Sequence, residues 1–230
     1  MSAFAGLLSA RAIPAELAEH FAVALDAPGL EQPRHWSDLG LHFTHRLRIT
    51  APEDRQDHQP AIRNDAPLVL VFDGYLINRI ELIDALALPR EARGWADSAI
   101  AFEAMARWGA SGPERMLGDF ALAVWDFADR SLLLARDAVG QRPLYYHEGD
   151  GLFAFATNPA ALLAVPGIDR ELDEDHLVAL LSDLPVADNG TPYKHLRLLP
   201  AGSVAIFRSG QLKQRFYWTS EQRTELRLPR

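Results

Sequence analysis

Between Asp119 and Thr157 four short apolar segments, Phe120 to Trp125, Leu132 to Ala135, Pro143 to Tyr146 and Leu152 to Ala156, alternate with polar or glycine-bearing stretches. Strand-length apolar runs broken by Asp126 to Arg130, Asp137 to Gly140 and Glu148 to Gly151 read as an antiparallel meander. Met1 to Leu8 reads as a further buried strand, unusual in that it begins at the first residue, where chains fray unless the sheet holds them. From Leu41 to Ile49 the residues alternate, with Leu41, Phe43, His45, Leu47 and Ile49 on one face and His42, Thr44, Arg46 and Arg48 on a polar one. Pro67 to Phe72 is a continuous apolar strand ending at an Asp73-Gly74 turn, and Ala51 to Asp65 reads as a loop. Helical spacing and start signals place helices after Pro14 and over Arg79 to Leu86, Asp97 to Trp108, Pro159 to Leu163 and Asp173 to Leu181. A hairpin from Ser203 to Phe207 and Gln211 to Trp218 closes the chain. Strands and helices come in blocks, which points to an α+β fold with antiparallel sheets rather than a doubly wound parallel one.

The 230 residues carry 31 acidic and 23 basic side chains, a formal charge of -8, and no cysteine. A chain of this length buries roughly 70% of its unfolded surface, so it needs neither disulfides nor a structural metal. The absence of cysteine removes thiolate nucleophiles and Cys-based metal sites. The acidic balance argues against nucleic acid and anionic membranes as partners, because both require clustered Lys and Arg. Apolar runs stop well short of the roughly 18 residues of a membrane span, and no basic segment precedes the apolar N-terminus, so the expected location is the cytoplasm. Gly-x-Ser-x-Gly, Walker A, dinucleotide-glycine and His-Glu-x-x-His motifs are absent. His42 and His45, three apart on a strand, point to opposite faces and do not form a metal pair.

Read together, Arg46-Leu47-Arg48-Ile49, Phe72-Asp73-Gly74-Tyr75-Leu76-Ile77-Asn78, Leu117 to Asp126, Leu134-Ala135-Arg136-Asp137-Ala138-Val139-Gly140-Gln141-Arg142-Pro143-Leu144-Tyr145-Tyr146 and Leu198-Leu199-Pro200-Ala201-Gly202 resemble, in that order, the class II glutamine amidotransferase domains of asparagine synthetases. The resemblance spans residues 1–218 and leaves 219–230 as a tail or linker. It implies the N-terminal-nucleophile αββα sandwich, two antiparallel sheets face to face with helices outside. In that family Met1 is removed and a cysteine, using its own free amine as base, attacks the side-chain amide of glutamine. The opening Met1-Ser2-Ala3-Phe4-Ala5-Gly6 puts Ser2 in the cysteine's place, and a hydroxyl is a far weaker nucleophile than a thiol near neutral pH.

Asp73-Gly74-Tyr75 resembles a family Asn-Gly-Glu, whose asparagine amide and glycine N–H stabilise the developing oxyanion and whose glutamate holds the substrate amine. An ionised Asp73 would set negative charge against that oxyanion. Arg46 matches the arginine that grips glutamine's α-carboxylate, or is simply a strand residue on the polar face; Asp97 matches the aspartate that pairs with its α-ammonium, or is the N-cap of the following helix. The family joins this domain to an ATP-pyrophosphatase synthetase bearing Ser-Gly-Gly-x-Asp-Ser, a motif not found here. The resemblance therefore implies a synthetase domain or subunit as partner, with ATP and Mg bound there, no cofactor in this domain, and glutamine, another amino acid or a peptide as ligand. β-Lactam synthetases and lasso-peptide cyclases keep degenerate amidotransferase halves. Two functions follow as expectations: a domain degenerate in glutaminase chemistry that serves structure or substrate positioning in an amide-forming synthetase, or an active glutaminase with Ser2 as N-terminal nucleophile supplying ammonia for asparagine synthesis.

Overall fold

Both faces of β1 (Ala3–Ser9) are apolar, Phe4 packing to one side and Ala5 and Leu7 to the other, so the strand requires cover on both. It lies inside a six-stranded sheet, paired antiparallel with β3 (Leu41–Arg46) and β9 (Leu152–Ala156). Beyond β3 comes β2 (Arg34–Asp38), and beyond β9 come β8 (Tyr145–Gly149) and the two-residue β10 (Arg197–Leu198). The second sheet, also six-stranded, runs in the order β12 (Gln211–Phe216), β11 (Ser203–Arg208), β7 (Ser131–Arg136), β6 (Gly118–Asp126), β5 (Ala66–Leu76) and β4 (Ala61–Arg63). This computed structural model describes residues 2–220 except 11, 12, 14, 64, 150 and 188. Met1, Pro14 and most of the expected tail lie outside the described residues.

The sheets meet face to face. Phe4, Phe43, Phe153 and Phe155 of the first pack on Val69, Val71, Ala121, Ala123, Leu132 and Leu134 of the second. Phe43 and Phe155 meet edge to face at 5.3 Å between centroids, and Phe153 stacks on Phe207 at 4.4 Å, geometries that aromatic quadrupoles favour. Outside the first sheet, α1 (Ala15–Ala24) and α4 (Pro159–Leu163) lay Leu17, Phe21, Ala161 and Leu162 on Ala5, Leu7, Ala154 and Ala156. Outside the second, α2 (Arg79–Ala85) and α3 (Asp97–Trp108) cover Leu68, Leu70, Phe72 and Leu122 with Leu82, Ile83, Ile100 and Ala104. The result is the expected αββα sandwich. A last helix, α5 (Glu174–Leu181), buries no side chain.

Three local expectations are corrected. β5 does not stop at a turn at Asp73-Gly74 but continues to Leu76, pairing Tyr75 with Asp119 and Leu76 with Gly118. The stretch from Ala51 to Asp65 is not all loop: it holds a 3-10 turn over Pro52–Gln56 and the edge strand β4. The polar face of β3 is buried rather than solvated, because α1 packs over it, with Phe21 stacked on His42 and Ala22 O accepting from Arg46.

His42, on that face, is tied to Ser37 Oγ at 2.7 Å and Thr44 Oγ1 at 2.8 Å and stacks on Phe21. Burial first, and the neighbouring His35 second, push its pKa from 6.5 down to about 4. Unfolded His42 titrates near 6.5, so between those values the unfolded chain binds more protons and acidification favours unfolding. The stability advantage of the wild type over His42→Gln is expected to shrink by up to about 1.4 kcal/mol per pH unit as pH falls from 6.5 toward 4. Urea titrations of both proteins at pH 7.5, 6 and 5 measure it; a difference independent of pH contradicts the assignment.

Candidate active site

Strand periodicity sets which side chains reach the gap between the sheets. On β5 the residues facing the other sheet are Val69 and Val71, and Asp73 is next in phase; on β1 Phe4 faces inward, and the same alternation carries back to Ser2. The two meet at one end of the sandwich. The main chain of Ser2 lies close enough to the Asp73 carboxyl to favour its charged form, while Ser2 Oγ accepts from the N–H of Arg48 at 3.0 Å. Around them is a cavity of about 50 Å³, bordered also by Gly74, Tyr75, Asp97 and Arg142. That is room for a few waters, well below the roughly 300 Å³ at which ordinary ligand pockets begin. Hollows of about 650 and 750 Å³ border Ser9, at the other end of β1, far along the strand from Ser2.

Asp73 is 3% exposed. Burial raises its carboxyl to about 6, against the opposing pull of the Arg142 guanidinium, the N-terminal amine and the main chain of Ser2. It is thus ionised in most molecules at neutral pH. Gly74 follows at φ +153, and a Cβ there would lie 2.1 Å from the Asp119 carbonyl, so no other residue fits the strand at this point. Tyr75 sits half exposed at the rim, where the Asp119 carboxylate raises the phenol's pKa, first as a hydrogen-bond acceptor and then by its charge.

Asp97 reaches the cleft from the first residue of α3, but it does not cap that helix, whose N-cap is Ala96. One carboxylate oxygen accepts from Leu76 N–H at 2.9 Å and the other is paired with Arg79. Burial raises its pKa while these two contacts lower it. Its charge is already matched within the fold.

Arg46 is placed elsewhere. The inward residues of β3 are Leu41 and Phe43, so Arg46, out of phase with them, projects from the outer face of the sheet. There its guanidinium donates to Ala22 O at 3.0 Å and Glu31 O at 3.2 Å and pairs with Asp26 at 3.0 Å. The expected carboxylate clamp is therefore not among the residues bordering the cleft. The cations that do border it are Arg48, whose guanidinium donates to Pro28 O, and Arg142, whose buried Nε has no hydrogen-bond partner.

Arg142 is aimed by Asp137. This fully buried carboxylate accepts from the N–H groups of Val139 at 3.1 Å, Gln141 at 3.0 Å and Arg142 at 2.9 Å. Asp57 also borders the cleft from the segment read as loop, with Ser98 Oγ donating to it at 2.6 Å and Gln59 Nε2 at 2.8 Å. Burial raises the Asp57 pKa and those two donors lower it. Arg142 lies in the Leu134 to Tyr146 segment that carries part of the resemblance, though nothing in the sequence assigns it a role; Asp57 and Ser98 come together only in the fold. Removing the buried acceptor by Asp137→Ala leaves three N–H groups without a partner and is expected to cost at least about 2 kcal/mol in urea denaturation. A loss below 0.5 kcal/mol, on the order of a surface change, would contradict this role.

The glutamine amidotransferase domain family matches residues 1–218. A provisionally named glutamine-hydrolysing asparagine synthetase of Mycobacterium bovis is 32% identical over 174 residues, covering 72% of this chain and 27% of that protein. Asparagine synthetase 3 of Bacillus subtilis, also glutamine-hydrolysing by name, is 24% identical over 200 residues, covering 86% of this chain and 33% of its own. The chain thus spans about a quarter to a third of the length of these relatives. Among solved structures, the glutamine phosphoribosylpyrophosphate amidotransferase of B. subtilis superposes with a TM-score of 0.65 at 16% identity, over 94% of this chain and 49% of that one. A class-II domain protein of Silicibacter pomeroyi does so at 0.51 and 12% identity, over 94% of this chain and 98% of its own.

Proposed function

The chain belongs to the class II glutamine amidotransferase domains of the asparagine synthetase family, and from that membership we propose that it has lost efficient glutaminase chemistry and serves as the structural or substrate-positioning half of an ATP-dependent amide-forming synthetase. The observation that carries this reading is the Asp73 carboxyl, 3% exposed and bordering the same small cavity as Ser2, where the family resemblance calls for a neutral donor. Attack on an amide builds negative charge on its oxygen, and donors aimed at that oxygen supply much of the rate. Removal of one such donor costs about 10² to 10³ in rate. A carboxylate ionised above pH 6 adds repulsion to that loss.

The remaining features act in the same direction. Ser2 offers a hydroxyl in place of a thiol. Tyr75 supplies no charge for a substrate amine, Asp97 is paired with Arg79, and Arg46 is held on the outer face by Asp26. The cavity of about 50 Å³ has to open before an amino acid can enter. What the fold keeps is its packing and the ordered Asp137 turn that holds Arg142 beside Asp73. The length of the relatives, of which this domain covers 27 to 33%, supports a synthetase domain or subunit as the partner.

Protein confirmed by intact mass to begin at Ser2 is expected to release no more glutamate from glutamine than Ser2→Ala does. Release abolished by Ser2→Ala would replace this reading with a serine-dependent glutaminase.

A further inference from the structure

In the folded chain Ser2 and the buried Asp73 carboxyl border the same cavity of about 50 Å³, where the main chain of Ser2 favours the charged carboxyl. Removal of Met1 would turn the Ser2 nitrogen from an amide into an α-amine beside that cavity, and the small Ser2 side chain permits the removal. We propose that Asp73 then holds the Ser2 α-ammonium in a buried ion pair, so that the amine is withheld from service as a base and the N-terminus is fixed at the end of the sandwich. The inference rests on the family register that makes Ser2 the first residue of the mature chain.

The geometry is built for this. β1 is anchored on both edges, and the N–H of Phe4 donates to Thr157 Oγ1 at 3.1 Å, so the first residues have little freedom to swing away. Ser2 Oγ is occupied by the Arg48 N–H at 3.0 Å, which fixes the residue's orientation. Asp73 is 3% exposed, and water competes weakly for it. An ordinary α-amine, with a pKa near 7.7 to 8.0, is about 10% neutral at pH 7 and so is available as a base. An opposite charge within hydrogen-bond reach raises such a group by about 1 to 3 units, reducing the neutral fraction to 1% or less. A neutral asparagine at this position would exert no such pull.

The other charged groups around the cleft do not offset it. Arg142 opposes the ammonium but reaches Asp73 from the loop after β7 and makes no hydrogen bond to Ser2. Asp97 is matched by Arg79, and Asp57 is held by Ser98 and Gln59. Asp54 is engaged by the N–H groups of Thr50 and Ala51, each at 2.8 Å. Arg48 offers its main-chain N–H to Ser2 and sends its guanidinium to Pro28 O. Asp73 is a positioning residue here: it acts through the amine.

The test is the pH profile of N-terminal acylation. Protein beginning at Ser2 is treated with a limiting N-hydroxysuccinimide acetate at low conversion from pH 6 to 11, and the modified N-terminal peptide is quantified by mass spectrometry. The midpoint is expected to lie at least one unit above the ordinary α-amine range, and in Asp73→Asn to return toward it. Normalised to its own plateau, the variant is then about tenfold more reactive at pH 7. A wild-type midpoint within or below the ordinary range overturns the proposal without reference to the variant, as does a mature protein that retains Met1. Equal midpoints in wild type and a folded Asp73→Asn overturn it too. Glutamate release dependent on Ser2 would sink the proposed function, whereas the ion pair is judged by the midpoint.

Discussion

The strand pairing of β1 is the constraint on which the site depends. With β3 on one edge and β9 on the other, the chain is held in the sheet from Ala3 onward. Thr157 closes the junction, its N–H donating to Phe4 O at 2.9 Å and its hydroxyl accepting from Phe4 N. Period-two alternation then decides what Ser2 faces. Because Phe4 must point into the inter-sheet core, Ser2 points into the same gap at its open end. A one-residue slip would send Phe4 to α1 and Ser2 away from Asp73. The apolar packing of the sandwich thereby delivers the N-terminus to the cleft.

The cleft and the Asp137 turn behind it are rich in carboxyls, and the fold deals with each in a different way. Asp137 is fully buried yet satisfied by three main-chain N–H groups. Asp97 has Arg79, and Asp57 has Ser98 and Gln59. Asp73 has less: the fields of Arg142 and the N-terminal amine and the main chain of Ser2, which together leave its pKa at about 6. Burying a carboxylate with so few donors costs stability, and such costs tend to persist where a partner charge is supplied. A free amine at Ser2 is the partner within reach.

Much of this was legible in the residues. The helix over Asp97–Trp108 and the strand over Leu152–Ala156 coincide with their expected bounds because period and end signals agree there. Asn158 caps α4 as its position before Pro159 suggests, accepting from Ala160 N–H at 3.0 Å. Asp73-Gly74 misled because the pair is a strong turn signal, whereas here glycine serves a close strand approach and Tyr75-Leu76 go on pairing. β2 carries Arg34, His35, Ser37 and Asp38 and has no apolar alternation to announce it. Arg46 shows the limit of motif matching: the residue type agrees, but which face it takes is set by Leu41 and Phe43. The convergence of Asp57, Ser98 and Arg142 on one cleft spans 85 residues of sequence and has no local signature.

The central claim is that Ser2 and its surroundings do not carry out attack on glutamine. A diazoketone analogue of glutamine, which alkylates an N-terminal nucleophile once it binds and is attacked, tests this without turnover. Intact-mass measurement after incubation is expected to show unmodified protein, as the closed cleft and the Asp73 carboxylate imply. A stoichiometric adduct mapping to Ser2 and prevented by excess glutamine would contradict the account.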